Sequence, residues 1–132
     1  ALDCTVSFTT AFDGFADMVR VPVLEDEVMA LMDELGVAHR AVEAPNGSSD
    51  VGNVSYRCPT IQPLLPICNT FHALHTVEFR DETTQPAAHE AIASGAKIIA
   101  ATILRTMTDE DFRQRVQPSY LESRTAKTTP EL

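Results

Sequence analysis

The residues best suited to chemistry lie in two short segments near the middle of the chain. The first, residues 47–55, reads Gly-Ser-Ser-Asp-Val-Gly-Asn-Val-Ser and combines hydroxyls, a carboxylate and consecutive backbone N–H groups. Such a loop can hold a carboxylate or a phosphate, although it lacks the Gly-Lys-Ser/Thr ending of a phosphate-binding loop. Asx turns made by Asp50 and Asn53 with their own backbone are therefore the simpler interpretation.

The second segment, residues 72–76, contains two histidines, of which His75 has the clearer metal-ligand pattern. Glu78, Asp81 and Glu82 follow it closely, and a carboxylate that fixes the tautomer of an imidazole is the usual neighbour of a metal-bound histidine. His72 could share the metal if the segment is helical, whereas in an extended segment the two side chains point to opposite faces. The alternative is a histidine in an acidic surface loop, and the spacing does not decide between them.

Other nucleophiles give weaker signals. The chain has no Gly-x-Ser-x-Gly elbow, and its three cysteines are odd in number and lack metal-type spacing. Cys58 and Cys68 are interpreted as small core residues with reduced thiols, which predicts a cytoplasmic protein.

The composition predicts one soluble globular domain. The chain has 132 residues, of which 44% are hydrophobic and 22% charged, and this length suits one domain. A net charge of −9 disfavours binding to nucleic acid and to anionic lipid. No uninterrupted apolar run reaches the ~20 residues that span a bilayer, so no membrane segment is expected.

Three strands are predicted, which together with the helices give an α/β fold. Residues 3–10 alternate, with Cys4, Val6 and Phe8 on one face, as in a half-buried strand. A second short strand is predicted at Val37–Glu43. The third, Thr60–Cys68, is interrupted by prolines, which places it at the edge of a sheet.

Three helices are predicted around this sheet. The first begins at Pro22 and ends at Gly36, which can adopt the left-handed capping conformation. The second covers Pro86–Met107, and the third runs from Asp109 to about Leu121 with Thr108 as its N-cap. The long second helix is expected to bury an apolar stripe that comprises Ile92, Ala96, Ile99, Ala100, Ile103 and Leu104.

Several motifs occur in an order that resembles a known enzyme family. They are the 47–55 loop, the Cys-Pro-Thr step at 58–60, Leu-His-Thr-Val-Glu-Phe at 74–79, and Ala-Ala-His-Glu-Ala at 87–91 leading into residues 95–101. This order resembles the C-terminal part of the dinuclear-metal amidohydrolases and aminoacylases, in particular the branch like p-aminobenzoyl-glutamate hydrolase. The likeness covers about residues 46–116, and more loosely the first forty-five.

The resemblance implies metal-assisted hydrolysis of an amide in an acyl-amino acid, aminobenzoyl-glutamate or dipeptide-like substrate. The metal would be zinc, or alternatively manganese or cobalt, with His75 as one ligand. Ser48, Ser49, Asp50 and Asn53 would line the substrate cleft. Residues 1–13 would end a lid or dimerisation domain, residues 14–122 would form the C-terminal part of a helix-flanked catalytic sheet, and residues 123–132 would be a flexible tail.

The chain departs from that family in one large respect. The family needs an early His-x-Asp and a Glu-Glu pair that supplies the general base, and neither occurs here. The chain is therefore expected to be a fragment, a truncated open reading frame or one half of a split enzyme. It would be inactive alone, and a complementing N-terminal polypeptide or a homo-oligomer is the expected assembly. The alternative is a non-catalytic module, derived from that fold, that associates with itself or with a partner; a small-anion binding domain built on the 47–55 loop is a further alternative.

Overall fold

The structure is a computed structural model that describes residues 3–10, 14–39 and 47–127. Within these ranges every regular element is a helix. The five helices, in chain order, are α1 (Pro22–Glu34), α2 (Val51–Ser55), α3 (Val77–Glu82), α4 (Pro86–Thr108) and α5 (Glu110–Ala126). Helices α1, α4 and α5 pack against one another and form the body of the protein.

The predicted α/β fold is wrong, because none of the described residues forms a strand. Residues 3–10 form no regular structure and are exposed, and a lone amphipathic strand has no stability without neighbouring strands and a covering layer. Residues 37–39 form no strand, while residues 40–43 lie outside the described ranges. Residues 60–68 are irregular, since Pro63 and Pro66 cannot donate to a sheet ladder. In this third segment Ile61 and Leu65 pack on the helical core instead.

The boundaries of α1 follow the predicted local signals. Pro22 occupies the first turn, where its missing N–H has no partner to lose. At the other end Gly36 has φ +65°, and the N–H of Val37 donates to the carbonyl of Met32 at 2.8 Å. This is the 6→1 hydrogen bond of a Schellman motif, so the predicted glycine cap is confirmed.

The last two helices are joined by the single residue Asp109. Its carboxylate accepts a hydrogen bond from the N–H of Phe112 at 2.8 Å and so caps α5. The predicted cap, Thr108, instead donates to the carbonyl of Leu104 within α4. Helix α5 continues through Pro118 to Ala126, which is five residues beyond the predicted end and includes the first residues of the predicted tail.

The core of the described residues consists of two apolar clusters, and one half-buried residue contacts both. The first contains Val19, Val21, Leu24, Phe112 and Tyr120. The second contains Val28, Met32 and Ile98, and half-buried Ile61 contacts both clusters. Glu27, which is almost completely buried on α1, accepts a hydrogen bond from Arg105 on α4 at 3.0 Å. This pair fixes which side of α4 faces α1.

Candidate functional site

The predicted 47–55 loop contains a short helix, and Gly52 in this helix contacts a segment that is distant in sequence. Residues 51–55 form α2, which packs against residues 14–19, called the N-terminal strap below. A Cβ added to Gly52 would lie 1.9 Å from the carbonyl oxygen of Ala16. Glycine is therefore required here because two backbone segments touch.

Asn53 and Ser55 bind the backbone of the N-terminal strap. The Asn53 side-chain oxygen accepts from the N–H of Ala16 at 2.6 Å, and its amide nitrogen donates to the carbonyl of Gly14 at 3.3 Å. The completely buried Ser55 hydroxyl accepts from the N–H of Val19 at 2.9 Å and donates to the carbonyl of Gly52 at 2.6 Å. Both side chains thus bind the backbone of the strap, and the bond from Val19 to Ser55 pairs a buried N–H group.

Of the other three predicted substrate contacts in this loop, two are exposed and one is half-buried. Ser48 and Asp50 are exposed, and Asp50 makes no side-chain cap to α2. Ser49 is half-buried, and its hydroxyl accepts from the N–H of Val51 at 3.2 Å. The four residues therefore have different surroundings. Asn53 binds the strap, the hydroxyl of Ser49 bonds within the loop, and Ser48 and Asp50 face solvent.

A polar network joins the strap to the end of α5. Tyr56 donates from its hydroxyl to Asp17 at 2.6 Å, and Lys127 donates to Asp17 and to the carbonyl of Met18. The hydrogen bond from Lys127, followed by the one from Tyr56, lowers the pKa of the Asp17 carboxyl below its ordinary value of 3.8. The hydrogen bond to Asp17 raises the pKa of the Tyr56 phenol above its ordinary 10.0.

The lowered pKa of Asp17 predicts an acid-sensitive strap. A carboxyl whose pKa is depressed on folding stabilises the fold above pH 3.8, and this contribution is lost as the pH falls through the lowered pKa. We expect Lys127→Met to raise the midpoint of acid unfolding, followed by far-UV circular dichroism, by a fraction of a pH unit, since the pair is partly exposed. Arg124→Met is the control, because Arg124 is exposed and forms no ion pair with any described residue. Equal midpoints for the two variants would show that the Lys127 pair contributes nothing.

His75 lies in a tight exposed turn just before α3. Its φ of 66° is in the left-handed region, and no described residue makes a hydrogen bond or ion pair with its imidazole. The turn is closed by Thr76, whose hydroxyl accepts from the N–H of Phe79 at 3.2 Å and donates to the carbonyl of Ala73 at 2.8 Å. The local backbone therefore presents His75 to the outside.

Two of the three acidic residues that closely follow His75 pair with other side chains. Glu82 lies 3.4 Å from His72, and Asp81 pairs with Arg80. Across residues 3–10, 14–39 and 47–127, no three His, Cys, Asp or Glu side chains are grouped so as to hold a metal ion. His75 and the 47–55 loop also line neither of two open clefts, of about 370 and 520 Å³, between the helices.

An apolar surface without a covering element lies on α4, where the predicted buried stripe is exposed. Buried positions of this helix are Ala88 and Ile98, whereas Ile99 is 58% exposed. We call the exposed side the outer arc of α4. Its members are Ile92, Ala93, Ala96, Ile99, Ala100, Ile103, Leu104 and Met107.

Sequence periodicity missed this surface because α4 is apolar on two sides. The pattern shows one wide stripe, but a helix that is apolar nearly all round requires neighbours on both sides. The long run of Ala, Ile and Leu between Glu90 and Arg105 indicates such a helix. More exposed apolar side chains lie just before the start of α4, at Phe71, Leu74 and Val77.

Helix α4 is also long and apolar enough, by length and composition, to cross a membrane. The expectation of no membrane segment stays a prediction, because the core helix of a soluble protein meets the same criterion. Only 11% of its most apolar window is buried within the protein.

The described part of the chain thus defines a small all-helical protein with one uncovered apolar helix face. No protein-family model matches the sequence, and no curated protein matches it. The likeness to amidohydrolases therefore depends on the quoted motifs alone.

Proposed function

We propose that this chain is an association-dependent helical module whose function is to bind another polypeptide through the outer arc of α4. One observation carries the proposal: a 23-residue helix has apolar side chains on two sides, and the three-helix body covers one of them. Contiguous apolar surface on a soluble protein marks an interaction site more often than chance exposure.

The energy available from covering the outer arc is of the size that association between two polypeptides requires. Five large aliphatic side chains are each more than half exposed: Ile92, Ile99, Ile103, Leu104 and Met107. Covering the exposed half of each one contributes roughly 1 kcal/mol, and the facing surface of the partner contributes a similar amount. This total is comparable with the ~4–15 kcal/mol that association costs in lost freedom.

A polypeptide fits the outer arc better than a lipid bilayer. The inner side of α4 is committed to protein contacts, since Ile98 is in the core and Arg105 pairs with Glu27. Lys97 would lie near the middle of a spanning α4, where a charge is costly. The net charge of −9 also opposes approach to anionic lipid.

The test is a double substitution, Ile99→Lys with Ile103→Lys. We expect the wild-type chain to bind a hydrophobic fluorescent dye through the outer arc. The variant should lose most of this binding but keep its helix content and its melting temperature, because both positions face solvent. Ile98→Lys is the matched control and is expected to unfold the protein. Unfolding of the double variant would place the outer arc in the protein's own core and contradict the proposal. Stable insertion into neutral vesicles would contradict it in favour of a membrane helix.

A second candidate function is favoured by the geometry of His75. In this proposal the chain is the C-terminal part of a metal-dependent amidohydrolase, and His75 supplies one ligand of a zinc, manganese or cobalt site. The polypeptide that covers α4 would supply the remaining ligands and the glutamate base, and the metal-activated water would attack the amide. Support comes from the exposed imidazole, which no described residue occupies, and from the motif order. Cleft contacts by Ser48, Ser49 and Asp50, and the cytoplasmic location, remain predictions.

The second candidate predicts an inactive isolated chain. We expect the purified protein to show no zinc-dependent hydrolysis of an acyl-amino acid, because one imidazole cannot hold two metals. Addition of a polypeptide that contains His-x-Asp and Glu-Glu should restore hydrolysis, and His75→Ala should abolish it while His72→Ala does not. Hydrolysis by the isolated chain, lost in His75→Ala, would overturn the prediction of inactivity. A complemented activity that survives His75→Ala would remove His75 from the site.

A further inference from the structure

Two oppositely charged residues lie along one edge of the outer arc of α4. Glu90 and Lys97 are seven residues apart, so they project from the same side of the helix, about 10 Å apart along its axis. Both are exposed, and neither forms an ion pair with a residue in the described ranges. The edge thus presents a negative and then a positive charge without an ion-pair partner among the described residues.

We propose that the outer arc of α4 is covered by α4 of a second copy of this chain, in an antiparallel pair related by a two-fold axis near Ala93. An axis between residues 93 and 94 places Glu90 of each copy opposite Lys97 of the other. The same edge of each copy then forms two equivalent ion pairs with the other copy. A two-fold interface requires such a patch, which is complementary to itself. This inference rests on the proposed function, because it names the polypeptide that covers the outer arc.

The small residues of the outer arc allow this pairing at close range. Ala93, Ala96 and Ala100 are exposed on one side, so the two helix axes can approach to about 8 Å. The overlap of residues 86–101 is about 24 Å long. Ile103, Leu104 and Met107 lie beyond this overlap, past the start of the opposite α4.

The charge distribution favours this helix for contact between copies. Helix α4 carries two basic residues and one acidic residue, whereas the whole chain has a net charge of −9. Pairing through α4 therefore leaves most of the acidic surface of each copy away from the other. Because the overlap is short, we expect a dimer with Kd on the order of 1–100 µM.

Charge reversal tests the pairing by sedimentation over a wide concentration range. Glu90→Lys alone and Lys97→Glu alone set like charges opposite each other at two places, so each should weaken association roughly tenfold. The double variant, and an equal mixture of the two single variants, return every facing pair to opposite charge. Both should associate like the wild type, and the mixture should form heterodimers.

A cysteine experiment tests the position of the axis independently of the charges. In a background with Cys4, Cys58 and Cys68 changed to serine, Ala93→Cys should form an intermolecular disulfide, because the two copies of residue 93 meet at the axis. Ala100→Cys should not, since its two copies are about 20 Å apart along the helix.

The outcomes separate this inference from the proposed function. A strictly monomeric wild type, single variants that associate normally, or equal cross-linking at residues 93 and 100 would each overturn the second copy as the occupant. A monomer that still binds the hydrophobic dye through the outer arc would leave the proposed function in place with a different polypeptide as partner. If the wild-type chain does not bind the dye in dilute solution, the proposed function itself is contradicted.

Discussion

Gly52→Ala is expected to destabilise the protein by about 2–4 kcal/mol, which lowers the melting temperature by roughly 10 °C. The added methyl group would lie 1.9 Å from the carbonyl oxygen of Ala16, which is backbone and has no flexible end that could move aside. The N-terminal strap must shift, and the hydrogen bonds that Asn53 and Ser55 make to it are then lost or stretched. Thermal unfolding followed by circular dichroism gives the size of the effect.

Gly47→Ala is the matched control for this substitution. It lies in the same sequence motif, but a Cβ at Gly47 meets nothing within 4 Å, so its melting temperature should remain within about 2 °C of the wild type. If the two variants melt alike, the contact between α2 and the strap does not exist in solution. Hydrogen exchange at the N–H of Ala16 and of Val19 would locate the change, since both amides are bonded to α2 side chains.

The second large effect is expected at two adjacent isoleucines of α4. Ile98 is 1% exposed and packs against Val28 and Met32, whereas Ile99 is 58% exposed. Ile98→Ala should cost about 2–4 kcal/mol, because it removes buried methyl groups and leaves a cavity. Ile99→Ala should change the free energy of unfolding by less than about 0.5 kcal/mol. Urea unfolding in dilute solution measures both.

These two variants contain the same chemical change one residue apart, so helix propensity cancels in the comparison. A large loss for Ile99→Ala with little loss for Ile98→Ala would show that α4 is rotated relative to the core described above. Similar losses for both would mean that the outer arc is covered within the monomer. The proposed interaction surface would fail in either case.

Much of the helical structure could be predicted from local signals. A proline in the first turn, a glycine after the last turn and apolar residues at three- and four-residue steps identified α1, and similar signals identified α4 and α5. The strands could not be judged in this way. Alternation in residues 3–10 shows which face a strand would bury, but a strand is stable only beside another strand, and that is a property of distant residues.

In the candidate site, too, features set by local contacts could be predicted, whereas features set by distant residues could not. His75 was identified from its neighbours in sequence, and its exposed turn is formed by the local contacts of Thr76. The role of Asn53 could not be predicted, because its partners, Gly14 and Ala16, lie more than thirty residues away. A short polar side chain in a Gly/Ser/Asp segment has the same composition whether it binds a substrate or a backbone segment.

The sequence by itself determined where the helices of the body begin and that α4 is apolar on most of its surface, since caps and periodicity act within a few residues. Only the tertiary structure decided which side of α4 is buried. Both sides have enough apolar surface to form a core, and the choice depends on the Glu27–Arg105 pair and on the fit of Ile98 between Val28 and Met32. These contacts join residues about seventy positions apart, and they leave the other side of α4 available to a partner.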